Sequence, residues 1–165
     1  MNTSFPDETE DQEEEPEFLQ HRYRIDPSVQ ENGGRSFLFM LKQRMSPESL
    51  KRLGEQPEKQ VPVEDGASGR VRFRRQKSDT TNDPISLIQQ YSANTPNYND
   101  PRLPLKEVLF RILLARGNEP KTVAQLYQDV KDWVGIGDTR AISHRSIARI
   151  LEYDDFYGFF RVEQG

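Results

Sequence analysis

Apolar residues recur at helical spacing in the last third of the chain, and this pattern predicts three helices. The first has its apolar stripe at i, i+3, i+4, i+7 and i+8: Leu105, Val108, Leu109, Ile112 and Leu113. The second repeats that spacing at Val123, Leu126, Tyr127, Val130 and Val134. The third is shorter, with a buried edge predicted at Ile147, Ile150 and Leu151.

The boundaries of these helices carry residues that begin or end a helix. Thr122 and Gln125 fit a capping box before the second helix, and Ser143 is the predicted cap of the third. Aromatic and branched residues then surround Gly158, which is typical of a turn into a strand. We expect an extended segment at residues 120–122 to pair with that strand.

A second, smaller apolar cluster predicts a helical pair at residues 35–54. Ser46 and Pro47 supply the cap and first position of its second helix. The candidate partner-binding residues are Phe37, Leu38, Met40, Leu41, Leu50 and Leu53. The pair is too small for a core of its own, so it either packs on the C-terminal domain or folds on a protein partner. The second interpretation is slightly favoured because a long polar segment separates the pair from the last third.

Composition divides the chain into four parts. Apolar residues make up only 33% of it, against a usual ~45–50%, and they cluster near the C-terminus. We therefore expect a disordered acidic tail at residues 1–34, the helical segment at 35–54, a flexible basic and polar linker at 55–101, and a domain at 102–165. The predicted fold class is mainly α, with a short strand and a long disordered N-terminal region.

Charge is distributed unevenly along this chain. Residues 1–17 hold eight acids and no base, although the net charge of the whole chain is only −4. The other residues carry 23 bases against 19 acids. The average charge therefore conceals a polarised molecule.

Several classes of protein are disfavoured by residue content. The chain has no cysteine and two histidines far apart, His21 and His144, so we expect no metal and no cofactor. No apolar run approaches the ~20 residues of a membrane span, and the predicted location is intracellular, in the cytoplasm, nucleoid or nucleus. Residues 135–137 lack the lysine and spacing of a phosphate-binding loop. We therefore predict that the protein is not an enzyme.

The C-terminal pattern resembles a winged helix, most closely the HARE-HTH type. The resemblance rests on residues 105–116, a Gly-x-x-Pro-type turn at 117–120, a helix over 123–133 that follows Thr122, and residues 143–162. It implies a helix-turn-helix whose third helix precedes an aromatic strand. Because the chain ends at Gly165, we expect the second strand of a wing to be missing.

The third helix supplies candidate nucleic-acid contacts, because polar residues at the start of such a helix can reach base edges and phosphates. These candidates are Ser143, His144, Arg145, Ser146 and Arg149, with Arg140 as a further phosphate contact. The alternative is an ordinary solvated helix face, since residues 103–165 carry nine acids and nine bases.

The linker could supply the missing positive charge. Its basic cluster comprises Arg70, Arg72, Phe73, Arg74, Arg75 and Lys77, and an aromatic among arginines can stack on a base. Two alternatives stay open: a solvated charge run, or a cluster masked by the acidic tail.

These observations predict a DNA-associated or transcription-associated protein that binds through its C-terminal domain, aided by the basic linker. The alternative is a non-enzymatic adaptor. Its winged-helix-like domain and the helix at residues 37–41 would then bind protein partners in a larger assembly.

Overall fold

A computed structural model of the protein describes residues 15–55, 58–64, 66, 69–77 and 83–163. The acidic stretch at residues 1–14 lies outside this range, so the predicted tail is described only from Glu15 onward. Within the described residues the chain is mainly helical, with a small three-stranded antiparallel sheet and a separate hairpin.

Residues 15–55 contain four elements that follow a 3₁₀ turn at Glu17–Gln20. They are strand β1 (Arg22–Ile25) and helices α1 (Pro27–Asn32), α2 (Phe37–Lys42) and α3 (Pro47–Gly54). Each helix begins at a side-chain cap: Asp26, Ser36 and Ser46 each accept a hydrogen bond from a backbone N–H of the first turn. The cap predicted at Ser46 is confirmed.

The middle of the chain forms a hairpin and a short helix. Strands β2 (Glu58–Glu64) and β3 (Val71–Lys77) pair antiparallel. Helix α4 (Pro84–Leu87) continues as a π-helical turn at Ile88–Ser92. Leu87, Ile88 and Tyr98 are buried, so residues 83–101 belong to the folded body and the flexible-linker prediction is wrong there.

The three predicted C-terminal helices are confirmed as α5 (Leu105–Ala115), α6 (Val123–Val134) and α7 (His144–Tyr153). Strand β4 (Lys121–Thr122) precedes α6, and strand β5 (Phe159–Val162) follows α7. The capping box of Thr122 with Gln125 is present. Ser143 caps α7 and forms a second capping box with Ser146.

The three-stranded sheet has the order β4-β1-β5, so a strand from residues 22–25 lies between two strands of the last third. Arg22 is opposite Thr122 on one side and Val162 on the other. The expected direct pairing of residues 120–122 with the last strand is therefore wrong, because β1 separates them. Residues 15–34, assigned to a disordered tail from their charge and turn residues, contain the central strand.

Two side-chain and turn features hold β1 in this position. Asn118, at φ 58°, accepts from the Ile25 amide (2.7 Å) and donates to the Ile25 carbonyl (2.9 Å). Gly158, at φ +80°, turns the chain into β5, and a Cβ there would lie 2.8 Å from the Asp26 carbonyl oxygen. Only glycine fits that turn. Tyr23 and Ile25 are consequently buried against the C-terminal helices.

The helical pair at residues 35–54 packs on the C-terminal helices, which was the less favoured of its two interpretations. Met40, Leu41 and Met45 are buried in the shared core. Arg44 makes two hydrogen bonds to Glu107 of α5 (Nε–Oε1 2.7 Å and Nη2–Oε2 2.8 Å). Glu107 also accepts from Arg111 Nε (2.8 Å) and the Tyr157 hydroxyl (2.9 Å).

Candidate nucleic-acid interface

The outward face of α7 carries two exposed arginines, Arg145 and Arg149, one helical turn apart. Ile147 and Leu151 are buried on the opposite side, so this orientation follows from the amphipathic pattern. Among the residues that the structure describes, neither guanidinium has an acidic partner within 4 Å. Both are therefore available to an external anion.

The beginning of α7 uses its two serines differently. Ser146 Oγ donates to the Ser143 carbonyl (2.9 Å) and accepts from the Ser143 amide (2.9 Å), so its hydroxyl is occupied within the helix. Ser143 Oγ accepts from the Ser146 amide (3.0 Å). Because no hydrogen bond donated by the Ser143 hydroxyl is found to another described residue, Ser143 is the serine that can donate to a phosphate.

Two of the predicted contact residues have structural roles. His144 stacks on Tyr127 of α6, with ring centroids 3.8 Å apart, and is half-buried. Arg140 pairs with Asp138 (2.7 Å) and donates to the carbonyls of Leu103 (2.6 Å) and Pro101 (2.7 Å).

The bonds of Arg140 tie the loop between α6 and α7 to the segment before α5. The hydrogen bonds that the Arg140 side chain and backbone amide donate to Asp138 also hold the pKa of that carboxyl below its usual value. Arg140, predicted as a phosphate contact, is thus already engaged by protein groups.

The edge of the sheet next to α7 adds one further arginine, Arg161, which was not among the predicted contacts. The buried Tyr23 hydroxyl donates to Glu152 on α7 (2.8 Å), and Arg161 is opposite Tyr23 on β5. Burial, followed by the bond to Glu152, raises the pKa of Tyr23 to about 12. Arg161 Nη2 lies 2.9 Å from His21 Nε2. We call Arg145 and Arg149 of α7, together with Arg161 of the strand β5 that packs against α7, the α7 face.

An open groove of about 880 Å³ continues from this edge, where β1 begins and β5 ends. Arg24 and Phe160 face each other across the two strands, with the guanidinium carbon 6.0 Å from the ring centroid. Phe160 is 44% exposed. The sequence predicted the strand after Gly158 that contains Phe160, but nothing in it identified residues 22–25 as the partner of that strand.

The basic cluster at residues 70–77 lies at the start of and along β3, in a two-stranded ribbon. Its backbone register places Lys77 opposite Glu58 and Arg75 opposite Gln60. Arg70 precedes the strand and is exposed. The predicted contacts Arg72, Phe73 and Arg74 therefore belong to a regular strand where a flexible linker was expected.

The candidate partner-binding residues divide into buried and exposed groups. Met40 and Leu41 belong to the core, while Phe37 and Leu53 are half-buried. Leu38 and Leu50 remain exposed, and so does Phe39, which the partner-binding set had left out. Of the six predicted contacts, only Leu38 and Leu50 are therefore exposed enough to reach a partner directly.

Neither a metal centre nor a membrane span is evident in the part of the chain that the structure describes. No group of three or more His, Cys, Asp or Glu side chains there could hold a metal ion. No helix there is long and apolar enough to cross a membrane. No protein-family model, curated protein or solved structure matches the chain.

Proposed function

We propose that the protein associates with duplex DNA through a winged-helix-like unit made of α5, α6, α7 and the sheet β4-β1-β5. The order helix, short strand, helix, helix, strand from α5 to β5 supports this assignment. The strand expected to be missing from the wing has a counterpart in β1, which pairs antiparallel with both β4 and β5. In such a unit α7 is the helix that enters the major groove.

The observation that carries the proposal is the pair Arg145 and Arg149, exposed on α7 and without acidic partners among the described residues. Arg161 lies on β5, which packs against α7. Phosphate contacts supply most of the affinity of DNA-binding proteins. Arginine can also contact guanine with two hydrogen bonds. The α7 face offers three arginines on adjoining elements, alongside the exposed Glu152 of α7 and Glu163 after β5.

The hairpin is the proposed second contact. A two-stranded ribbon fits a DNA groove, and Arg70, Arg72, Phe73, Arg74, Arg75 and Lys77 concentrate its positive charge at β3. We expect this ribbon to contribute affinity without sequence preference. Of the contacts predicted at the third helix and in the loop before it, Ser143, Arg145 and Arg149 are retained. Arg140, His144 and Ser146 instead hold α7 in place through their contacts within the protein.

Fluorescence anisotropy with a labelled duplex at two salt concentrations tests the proposal. Arg145→Gln with Arg149→Gln removes two potential phosphate contacts, so we expect at least about tenfold weaker binding at low salt and a shallower salt dependence. The matched control, Lys42→Gln with Lys51→Gln, removes two exposed charges from α2 and α3 and should change affinity less than about twofold. Equal affinity of both double variants would contradict the proposal.

An adaptor role is the second candidate, and the exposed Leu38 and Phe39 of α2 favour it. Phe39 is 60% exposed, and neighbouring exposed apolar residues often mark protein contacts. Leu38→Ser with Phe39→Ser should abolish binding to such a partner while leaving DNA affinity unchanged. Loss of DNA affinity in this variant would argue against separate surfaces.

A further inference from the structure

The three-stranded sheet has one face that is buried against the helices. Tyr23, Ile25 and Phe159 belong to the core, and the Tyr23 hydroxyl bonds to Glu152 of α7, so α7 lies on that side of the sheet. Successive side chains of a strand point to opposite faces. The residues that alternate with the buried ones therefore form the opposite face, which we call the outer sheet face: Arg22, Arg24, Phe160 and Val162.

The strand register brings the cationic and apolar residues of the outer sheet face together. Arg24 is directly opposite Phe160, and Arg22 is directly opposite Val162. The Arg24 guanidinium carbon is 6.0 Å from the centre of the Phe160 ring, and Phe160 is 44% exposed. An exposed aromatic ring beside cationic side chains is the arrangement on which unpaired bases stack.

The two arginines of this face are available to phosphate groups. Arg22 is exposed and Arg24 is half-buried, and neither has an acidic partner within 4 Å among the described residues. Asp26, which follows β1, accepts hydrogen bonds from the Ser28 amide (2.9 Å) and hydroxyl (2.7 Å). Residues two apart on a strand are separated by about 6.6 Å, which is close to the spacing of neighbouring phosphates along an extended single strand.

The groove beside the outer sheet face contains charges of both signs. Its lining includes the bases His21, Arg24 and Arg161 and the acids Glu17 and Glu163. Both acids belong to the end of the groove where β1 begins and β5 ends. Glu163 is three residues, about 10 Å, along the chain from Phe160. We therefore expect a polyanion at the end of the groove that contains Arg24 and Phe160.

We infer that the outer sheet face binds single-stranded nucleic acid, with one unpaired base stacked on Phe160 and the flanking phosphates bound by Arg22 and Arg24. This inference goes beyond the function proposed above and does not depend on it, because α7 lies on the other side of the sheet. A duplex cannot bind in this way, since the faces of its bases are covered by their neighbours. An acidic peptide could reach the same arginines but has no base to stack on the ring.

Fluorescence anisotropy of the full chain with a labelled oligothymidine strand at low salt tests the stacking contact. Phe160→Leu removes the ring but keeps an apolar side chain, so we expect about tenfold weaker binding. Phe160→Tyr keeps the ring and should change the affinity less than about twofold. The matched control, Phe39→Leu, removes the exposed ring of α2 and should also change it less than about twofold.

An abasic strand of the same length separates stacking from charge, because it has the same phosphates but no bases. Phe160→Leu should leave the affinity for the abasic strand unchanged. Arg22→Gln with Arg24→Gln should weaken the binding of both strands and make its salt dependence shallower. The matched control is again Lys42→Gln with Lys51→Gln.

Duplex binding is measured on the same variants, so that the two nucleic-acid sites can fail separately. Phe160→Leu should leave the duplex affinity within about twofold of the unmodified chain. Arg145→Gln with Arg149→Gln should leave the oligothymidine affinity within the same limit.

Several results would overturn the inference. One is the absence of oligothymidine binding by the unmodified chain at low salt, and another is equal oligothymidine affinity of Phe160→Leu and the unmodified chain. Equal weakening of both strands by Phe160→Leu would show that the ring does not stack on a base. Polyglutamate that binds as tightly as oligothymidine would indicate a site for acidic peptides. A loss caused by Phe73→Leu and not by Phe160→Leu would assign the stacking to the hairpin.

Discussion

Glu107 lies where the N-terminal helical pair meets α5, and its carboxylate accepts four hydrogen bonds. Burial alone would raise its pKa, but the bonds from Arg44 and Arg111 outweigh burial and lower the pKa from 4.5 to about 2. Since the folded-state pKa is depressed, the ionised group stabilises the fold fully above about pH 4.5. That contribution is lost as the pH falls toward 2.

We predict that Glu107→Gln lowers the free energy of unfolding by about 3 kcal/mol at pH 7, because the largely covered Arg44 and Arg111 lose their counter-ion. Urea denaturation across a pH series measures this effect. The difference between the two proteins should shrink below about pH 4.5. Glu48→Gln, which removes an exposed partner of Arg52, should cost less than about 1 kcal/mol. A pH-independent loss in Glu107→Gln would contradict the assigned charge state.

At the scale of elements, β1 is the strand that joins the N-terminal half to the C-terminal helices. Asn118 holds it through two hydrogen bonds and adopts a positive φ that favours asparagine or glycine. Asn118→Gly keeps that conformation and loses the two bonds, so we expect a cost of about 2 kcal/mol. Asn118→Ala loses the two bonds and also disfavours the positive φ, so it should cost about 1 kcal/mol more than Asn118→Gly.

Hydrogen exchange gives an independent check on β1. The Ile25 amide, bonded to Asn118, should exchange as slowly as the amides of β5 in the unmodified chain, and clearly faster in Asn118→Gly. Rapid exchange of residues 22–25 in the unmodified chain would show that β1 is not part of the sheet.

The helices and their caps could be predicted from the sequence because they depend on local spacing. The stripe from Leu105 to Leu113 and the capping box of Thr122 each lie within a few residues. The position of β1 could not be predicted. A four-residue segment with a single alternation of apolar and charged residues does not identify strand partners about a hundred or more residues away. The role of Arg140 was equally inaccessible, because it depends on carbonyls of Pro101 and Leu103 that only the fold brings near.

A single hydrophobic core contains buried residues of β1, of helices α2 and α4 to α7, and of β5. A fragment of residues 98–165 lacks Tyr23, Ile25, Met40 and Leu41, and would expose the apolar side chains that they cover. We predict that this fragment does not unfold cooperatively on heating, whereas the full chain shows one cooperative transition followed by circular dichroism. A fragment with a melting temperature near that of the full chain would contradict a shared core.

We propose that α7 and the neighbouring sheet edge form the nucleic-acid interface. A titration of the ¹⁵N-labelled full chain with a duplex, followed through its backbone amide resonances, tests this proposal. We expect shifts at residues 143–153, 21–24 and 159–163, with α3 unaffected. Shifts confined to residues 70–77, or none at DNA concentrations that saturate the protein, would contradict it.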